Sequence, residues 1–427
     1  MSRGFRSIRL PGDFDPCTLL AHPAANHVVA SYEQPAREFA LVGVGEAGRA
    51  EAAPRVGPSG VREAVRRLLD APADFDTPEL RPRLIGGFAF DGARPPSGAW
   101  DGFAAGALVL PRLLFVRDGG VSGVVVAPGV DPGEVEAVLG GGGSNDCVER
   151  TLTIAHDIDR TRWLTSVAAV AAAVRAGHYE KAVLAASRAL IADGPIAIGA
   201  ALVRLRAEYA DCHVFSFRAG ASTFLGASPE LLVSSREGLV RALGLAGSAR
   251  RGGDAAEDER AGQALLNSAK DRIEHETVVR ALRESLAPLT EQVRAPNQPV
   301  LLKLRNIQHL ATEVTARAIE GIDILALVQG LHPTPAVCGY PRAEAHAVIA
   351  QHETFDRGWY AGPVGWLDAA GDGEFAVGLR SALVRGARAW LFAGAGIMGD
   401  SRPADELAEI EMKFMPLTGA LAGGAAG

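Results

Sequence analysis

Residues 392–414 read FAGAGIMGDSRPADELAEIEMKF, and positions 394–399 have the G-x-G-x-x-G spacing of a dinucleotide-binding loop. An apolar, strand-like run at 389–393 leads into it. A doubly wound fold, however, needs those glycines to open a helix inside a strand–helix–strand unit, with an acidic residue about 20 positions further on. Here Asp400, Ser401, Arg402 and Pro403 intervene, and only one helical segment and a glycine-rich tail follow. The dinucleotide reading is set aside. What remains is a glycine turn at Gly394, Ala395 and Gly396 that brings backbone N–H groups close to an anion. Asp400 or Ser401 is expected to cap the next helix, with Pro403 in its first turn. On that helix Glu406, Glu409 and Lys413 share one face, beside an apolar stripe of Leu407, Ile410 and Phe414.

Away from this segment, strands are expected in clusters. The first 150 residues are strand-rich, most clearly at 83–92 (RLIGGFAFDG) and 107–120 (ALVLPRLLFVRDGG). GGGGSND at 140–146 reads as a linker or a surface loop, and GALAGGAAG at 419–427 as a frayed end. Asp157 or Asp159 caps a helix that carries Trp163, Val167, Val170 and Val174 on one face and stops at Gly177. Further strands are expected at 182–191, 214–217, 223–225 and 231–234, and helical patterns at 255–286 and 322–331. A strand pair, 362–368 and 374–384, closes on the turn AAGDG; in the second strand Ala376, Gly378, Arg380 and Ala382 would share one face. Clustered strands with covering helices predict an α+β fold of antiparallel sheets.

A second acidic helix gives the first one meaning. NSAKDRIEHETVVRAL places Asp271 and Glu274 on the same face as Val278, Ala281 and Leu282. Either helix alone is compatible with a salt-bridged surface. If the two face each other, clustered carboxylates demand a cation, and hard oxygen ligands suit Mg²⁺.

Composition narrows the partners. The 427 residues carry a net charge of −7, which argues against nucleic acid or an acidic membrane surface as the main partner. Four cysteines lie far apart with no C-x-x-C pair, so no disulfide framework is expected. No apolar run reaches membrane-spanning length and the N-terminus lacks an apolar signal region. These features predict a soluble, cytoplasmic protein. No feature of the sequence fixes an oligomeric state, a monomer included.

The longer motifs then resemble a known family. GASPELLV (226–233), LAGSARR (245–251), SAKDRIEHE (268–276), IQHLATEV (307–314), LHPTPAVCGYPR (331–342) and FDRGWYAGPVGW (355–366) are similar, in order, to the chorismate-utilising enzymes, most closely the isochorismate synthases. IGGFAFD, the Arg380 segment and the glycine–glutamate stretch extend the likeness. The resemblance implies one chorismate-utilising domain over 1–427, with a strand-rich N-terminal part (1–150) and a catalytic part (157–418). It implies two antiparallel sheets flanked by helices, and a Mg²⁺-dependent conversion of chorismate to isochorismate. The metal would lie on Glu274 and Glu409, supported by Asp271 and Glu406. Lys413 with Gly394, Ala395 and Gly396 would hold the ring carboxylate, Arg380 and Tyr360 the enolpyruvyl carboxylate, while His309, Gly247 and Ser248 would line the site. Lys181 matches the family's general base and Glu230 its general acid.

A water-activating lysine separates this reading from the ammonia-using anthranilate and aminodeoxychorismate synthases, so no glutamine amidotransferase partner is expected. Salicylate synthases share the lysine and then eliminate pyruvate. A catalytically silent chorismate binder is a further alternative. One departure stands out: KAVLAASR places Arg188 two residues later than the family's usual arginine, so a bulge in that strand would re-aim Lys181.

Overall fold

The computed structural model describes residues 4–21, 27–75, 77–93, 95–140, 149–305 and 307–423. The linker reading of 140–146 falls outside the described residues beyond Gly140, as do Cys147 and the final residues 424–427.

The sheets are antiparallel apart from a short parallel contact between Phe5–Arg9 and Ala73–Asp74. The two separate sheets expected from the resemblance are instead, among the described residues, one hydrogen-bonded system of 21 strands. Two long strands cause the difference. Phe39–Ala52 and Gly106–Asp118 pair along their whole length, with a register shift between Glu46 and Gly48 opposite Pro111. A proline cannot donate to the ladder and a bulge bends its strand, so the pair turns a corner here. Before the corner Phe39–Ala52 takes Val28–Gln34 as neighbour; beyond it Gly106–Asp118 takes Arg83–Phe88. The sheet therefore passes from one layer to the other without a break.

From Arg83–Phe88 the order runs through Pro363–Asp368, Gly373–Val377, Leu231–Arg236 and Leu239–Arg250 to Ile307–Ala318. From Val28–Gln34 it runs through His213–Ala219, Ser222–Ser228, Ser381–Arg385 and Arg388–Ile397 to Lys181–Ala192. Aromatic rings fill the core: Trp359 lies 4.6 Å from Phe217, and fully buried Trp100 touches Phe103, Phe224 and Phe392.

Local structure follows the sequence with instructive exceptions. The helix Arg160–Arg175 is capped by Asp159, whose carboxylate accepts from the Arg162 N–H at 3.0 Å. The single pattern over 255–286 is two helices, Ala255–Asn267 and Ala269–Leu286, because the Ser268 hydroxyl accepts the Asp271 N–H and restarts the helix. Neither Asp400 nor Ser401 caps the helix Pro403–Ala422: Arg402 is the capping residue, and the Ser401 hydroxyl accepts the Met398 N–H instead. Pro403 does open that helix. The tail is helical to Ala422 and ends on Gly423 at φ 92°, so its described part is not frayed. Over 374–384 the strand stops at Val377 and resumes at Ser381. The Gly378 N–H bonds the Gly362 carbonyl at 2.7 Å, and Arg380 takes φ 44°. Arg380 is thus aimed by a backbone break, not by strand alternation.

Trp100→Ala removes the ring that joins these aromatic contacts and should cost about 3–5 kcal/mol. A urea unfolding midpoint unchanged from wild type would show that the ring does not hold the two layers together.

Candidate active site

The site begins with a strand pair. Lys181–Ala192 and Arg388–Ile397 keep one unbroken register from Ala182↔Ile397 to Ile191↔Arg388. The bulge that KAVLAASR raised as a concern is absent from this pairing, and Lys181 and Arg188, seven positions apart, lie on opposite faces. Arg188 packs on the Phe414 ring and binds Asp157 and Glu411. Lys181, only 1% exposed, faces a cavity enclosing about 780 Å³, open mouth included.

Twelve of the fifteen residues singled out from the sequence line that cavity: Lys181, Glu230, Gly247, Ser248, Glu274, His309, Tyr360, Arg380, Gly394, Gly396, Glu409 and Lys413. Ala395 does not, since it alternates with the two glycines and points to the other face. Asp271 and Glu406 also stand outside the wall. Asp271 lies behind Gly247, where an added Cβ would come within 3.0 Å of the Asp271 Cβ. Gly247 sits at a register shift of its strand with φ 77°, so the backbone there bends as glycine permits.

The glycine turn is a strand. Gly394 and Gly396 pair with Ala185 and Val183, whose own polar groups are engaged on the far side. By antiparallel alternation the two glycine N–H groups turn away from that neighbour, towards the edge left open where the Ser381–Arg385 strand ends its pairing at Phe392. Missing side chains make the room: a Cβ on Gly396 would lie 2.6 Å from Glu274 Oε1 and 2.7 Å from Lys181 Cε. One on Gly394 would lie 2.9 Å from the Tyr360 hydroxyl.

Charges are arranged in pairs. Lys181 Nζ lies 2.7 Å from Glu274 Oε1, and Lys413 Nζ lies 2.6 Å from Glu409 Oε1. Lys413 also donates to the Gly394 carbonyl at 2.7 Å. Lys270 stands 3.8 Å from Glu406. Burial, reinforced by Glu409 and Glu274, pushes Glu406 up to about 7; burial and Glu274 likewise raise Asp271. The two acidic helices therefore do converge, closely enough for their carboxylates to repel one another. Among the described residues, however, no three such groups are drawn together tightly enough to hold an ion as they stand.

Glu230 is 3% exposed, and burial pushes it up to about 8 against the pull of Lys181, Lys413 and the Thr334 hydroxyl. It is protonated at neutral pH. Burial, with Arg380 and Lys413 nearby, holds His309 well below its ordinary value, so its ring is neutral. Its Nδ1 lies 3.2 Å from the Gly247 carbonyl and 3.1 Å from Ser248 Oγ, while Nε2 lies 3.2 Å from Arg380 Nη2. An Nδ1–H tautomer satisfies the carbonyl and leaves Nε2 to accept from the guanidinium. Tyr360 stacks on Phe392 at 5.3 Å, and burial raises its phenol, which stays a donor. His332 is half-buried, its Nε2 lies 3.1 Å from the Phe90 carbonyl, and desolvation pulls it down to about 3, so its ring is neutral.

Sequence reading missed Thr334, Lys270 and the apolar walls Val183, Val337, Leu379 and Phe392. Thr334 stood two places after His332 in LHPTP, but nothing local marks it as lying near Glu230, whose acidity its hydroxyl influences without a formed hydrogen bond. Chemically, the cavity offers one proton donor, one buried lysine, an arginine and a second lysine for anions, and carboxylates for a cation.

Comparisons with known proteins agree with this chemistry. The profile of the chorismate binding enzymes matches residues 7–422. The salicylate biosynthesis isochorismate synthase of Pseudomonas aeruginosa is 42% identical over 369 residues, 83% of this chain and 77% of that protein. Isochorismate synthase MenF of Bacillus subtilis is 36% identical over 80% of this chain and 75% of its own length. The solved structure of MenF, the menaquinone-specific isochorismate synthase from Escherichia coli, superposes with a TM-score of 0.81 at 27% identity, covering 98% of this chain and 95% of that one.

Between about pH 4.5 and 8 the folded protein keeps a Glu230 proton that the unfolded chain releases, so this group makes stability fall as pH rises. Glu230→Gln should flatten that decline, seen as a urea midpoint that exceeds wild type at pH 8 by more than at pH 5. Equal differences at both pH values would refute the raised acidity constant.

Proposed function

The chain belongs to the chorismate binding enzyme family as an isochorismate synthase, and on that premise we propose how its residues divide the reaction. Chorismate and isochorismate are isomers: water adds at one ring carbon and the hydroxyl at another departs as water once protonated. Lys181, once it has released its ammonium proton and left its ion pair with Glu274, takes the proton from the incoming water. Glu230 gives one to the departing hydroxyl, and the observation that carries this role is its burial, which keeps it protonated at neutral pH. Each role is worth about 10²–10⁴-fold in rate. The proton held by Lys181 then returns to Glu230 for the next turnover, directly or through solvent.

Substrate is held by its two carboxylates. The Gly394 and Gly396 N–H groups with Lys413 receive the ring carboxylate. Arg380, steadied through His309, and the Tyr360 hydroxyl receive the enolpyruvyl carboxylate. Ser248 and Gly247 complete the wall behind His309.

Mg²⁺ fits the donor chemistry of the two acidic helices, whose buried carboxylates raise one another and are balanced in part by lysines. Glu274 and Glu409 would hold it directly, Asp271 and Glu406 through water. Bound there, the dication supplies a Lewis-acidic anchor for the ring carboxylate. The whole of 1–427 is read as one catalytic unit. Among its described residues no helix is long and apolar enough to cross a membrane.

Incubation with chorismate and Mg²⁺, without ammonia, should yield isochorismate by chromatography, and chelation by EDTA should stop it. Salicylate with equimolar pyruvate would instead identify a salicylate synthase. Lys181→Ala should lower kcat by at least about 10²-fold; full activity in that variant would remove Lys181 from the mechanism. Glu409→Gln should raise the Mg²⁺ concentration needed for half-maximal rate, and an unshifted titration would dismiss the metal assignment.

A further inference from the structure

The strand that carries Lys181 has an exposed flank in its ladder. On one side it pairs with Arg388–Ile397 throughout. On the other, Gly339–Tyr340 covers only Lys181 and Ala182, and Leu152–His156 begins at Ala189. Between them the strand has no strand neighbour among the described residues. Backbone groups buried in such a gap must find other partners.

Two side chains supply them. Glu353 Oε1 accepts the Ala185 N–H at 2.8 Å, and Arg357 Nη2 donates to the Val183 carbonyl at 2.8 Å. Arg357 and Glu353 are each 4% exposed at the side chain and bind one another, Nε to Oε2 at 2.9 Å. An ion pair thus takes the place of the missing strand.

Arg357 reaches further than the strand. Its Nη1 donates to the Val337 carbonyl at 2.8 Å, and the Val337 N–H in turn bonds the carbonyl of Thr334, which lies near Glu230. Its own carbonyl accepts the Tyr360 N–H at 2.9 Å. The guanidinium lies 4.3 Å from the centre of the Phe90 ring, which closes it off from behind. Val183, Val337 and Tyr360 are all walls of the catalytic cavity. Three walls drawn from three separate chain segments therefore meet at one residue that does not itself line the cavity.

We propose that Arg357, with Glu353 as its counter-ion, is a positioning residue that sets the separation of Lys181 from Glu230. The planar fork is what the task needs, since it spans the carbonyls of Val183 and Val337 while the Nε edge stays on Glu353. Lysine keeps the charge but cannot bridge both carbonyls and the carboxylate in one plane. The inference rests on the assignment of Lys181 and Glu230 as base and acid.

The test uses Arg357→Lys and Arg357→Ala in the full chain with chorismate and Mg²⁺. Loss of alignment should lower kcat about 10²-fold in Arg357→Lys, with KM changed less than about threefold, because the carboxylate-binding groups stay in place. Tyr360 is among them, since its N–H is held by the backbone carbonyl of residue 357 whatever the side chain there. Ethylguanidinium at millimolar concentration should restore part of the kcat of Arg357→Ala and leave Arg357→Lys and wild type unaffected. A folded Arg357→Lys enzyme with wild-type kcat, or one whose KM rises as far as its kcat falls, would overturn the proposal, as would a folded Arg357→Ala enzyme that ethylguanidinium does not rescue. Should Arg357→Ala not fold, the Arg357→Lys split alone decides. A wild-type protein that turns over chorismate while Lys181→Ala and Glu230→Gln also do so would sink the acid–base reading, a result distinct from any behaviour of the Arg357 variants.

Discussion

The register between Lys181–Ala192 and Arg388–Ile397 is the constraint on which the site depends. Side chains in a strand alternate with period two, so one slipped residue would turn Lys181 out of the cavity and put Ala182 in its place. The same pairing puts Gly396 beside Lys181, and only a residue without a side chain leaves room there for the ion pair with Glu274. The unbroken ladder also holds Gly394 and Gly396 with their N–H groups towards the open edge. Lysine, carboxylate and glycine N–H groups are thus tied to a single alignment.

Around that alignment the cavity keeps opposite charges and protonation states by burial. Glu230 stays protonated because it is desolvated, although two lysines act against this. His309 stays neutral for the same reason, and so can accept a hydrogen bond from Arg380 instead of repelling it. Buried charge is costly unless it is matched, and here each carboxylate facing the cavity as an ion has a lysine within 2.7 Å. A site arranged this way favours a dianion with a spread of ionic groups over a neutral ligand.

Much of this was legible in one dimension. The spacing of Glu406, Glu409 and Lys413, and of Asp271 and Glu274, put carboxylates on two helix faces. The helices form there, and the carboxylates do interact. Strand runs at 182–191 and 389–393 appear within a few residues of their observed limits. What failed were features set by neighbours distant in sequence. The glycine turn became a strand because Lys181–Ala192 was there to pair with it. Arg380 left its expected strand face because the Gly362 carbonyl claimed the Gly378 N–H. Two sheets became one because Pro111 meets a bulge on the opposite strand.

The residue types and their periodicity specify helices, strands and the inventory of acids and bases, since these depend on spacing along the chain. They cannot specify which carboxyl group is stripped of water, nor which backbone groups lack a strand partner. Glu230 and Glu411 are the same residue type; one is pushed up to about 8 by burial, while the other bridges Arg188 and Arg160 at the surface. Arg357 offers no local hint of its place, because the carbonyls it joins lie 174 and 20 positions away. Desolvation and hydrogen-bond completion are properties of packed neighbours, and only folding brings those neighbours together.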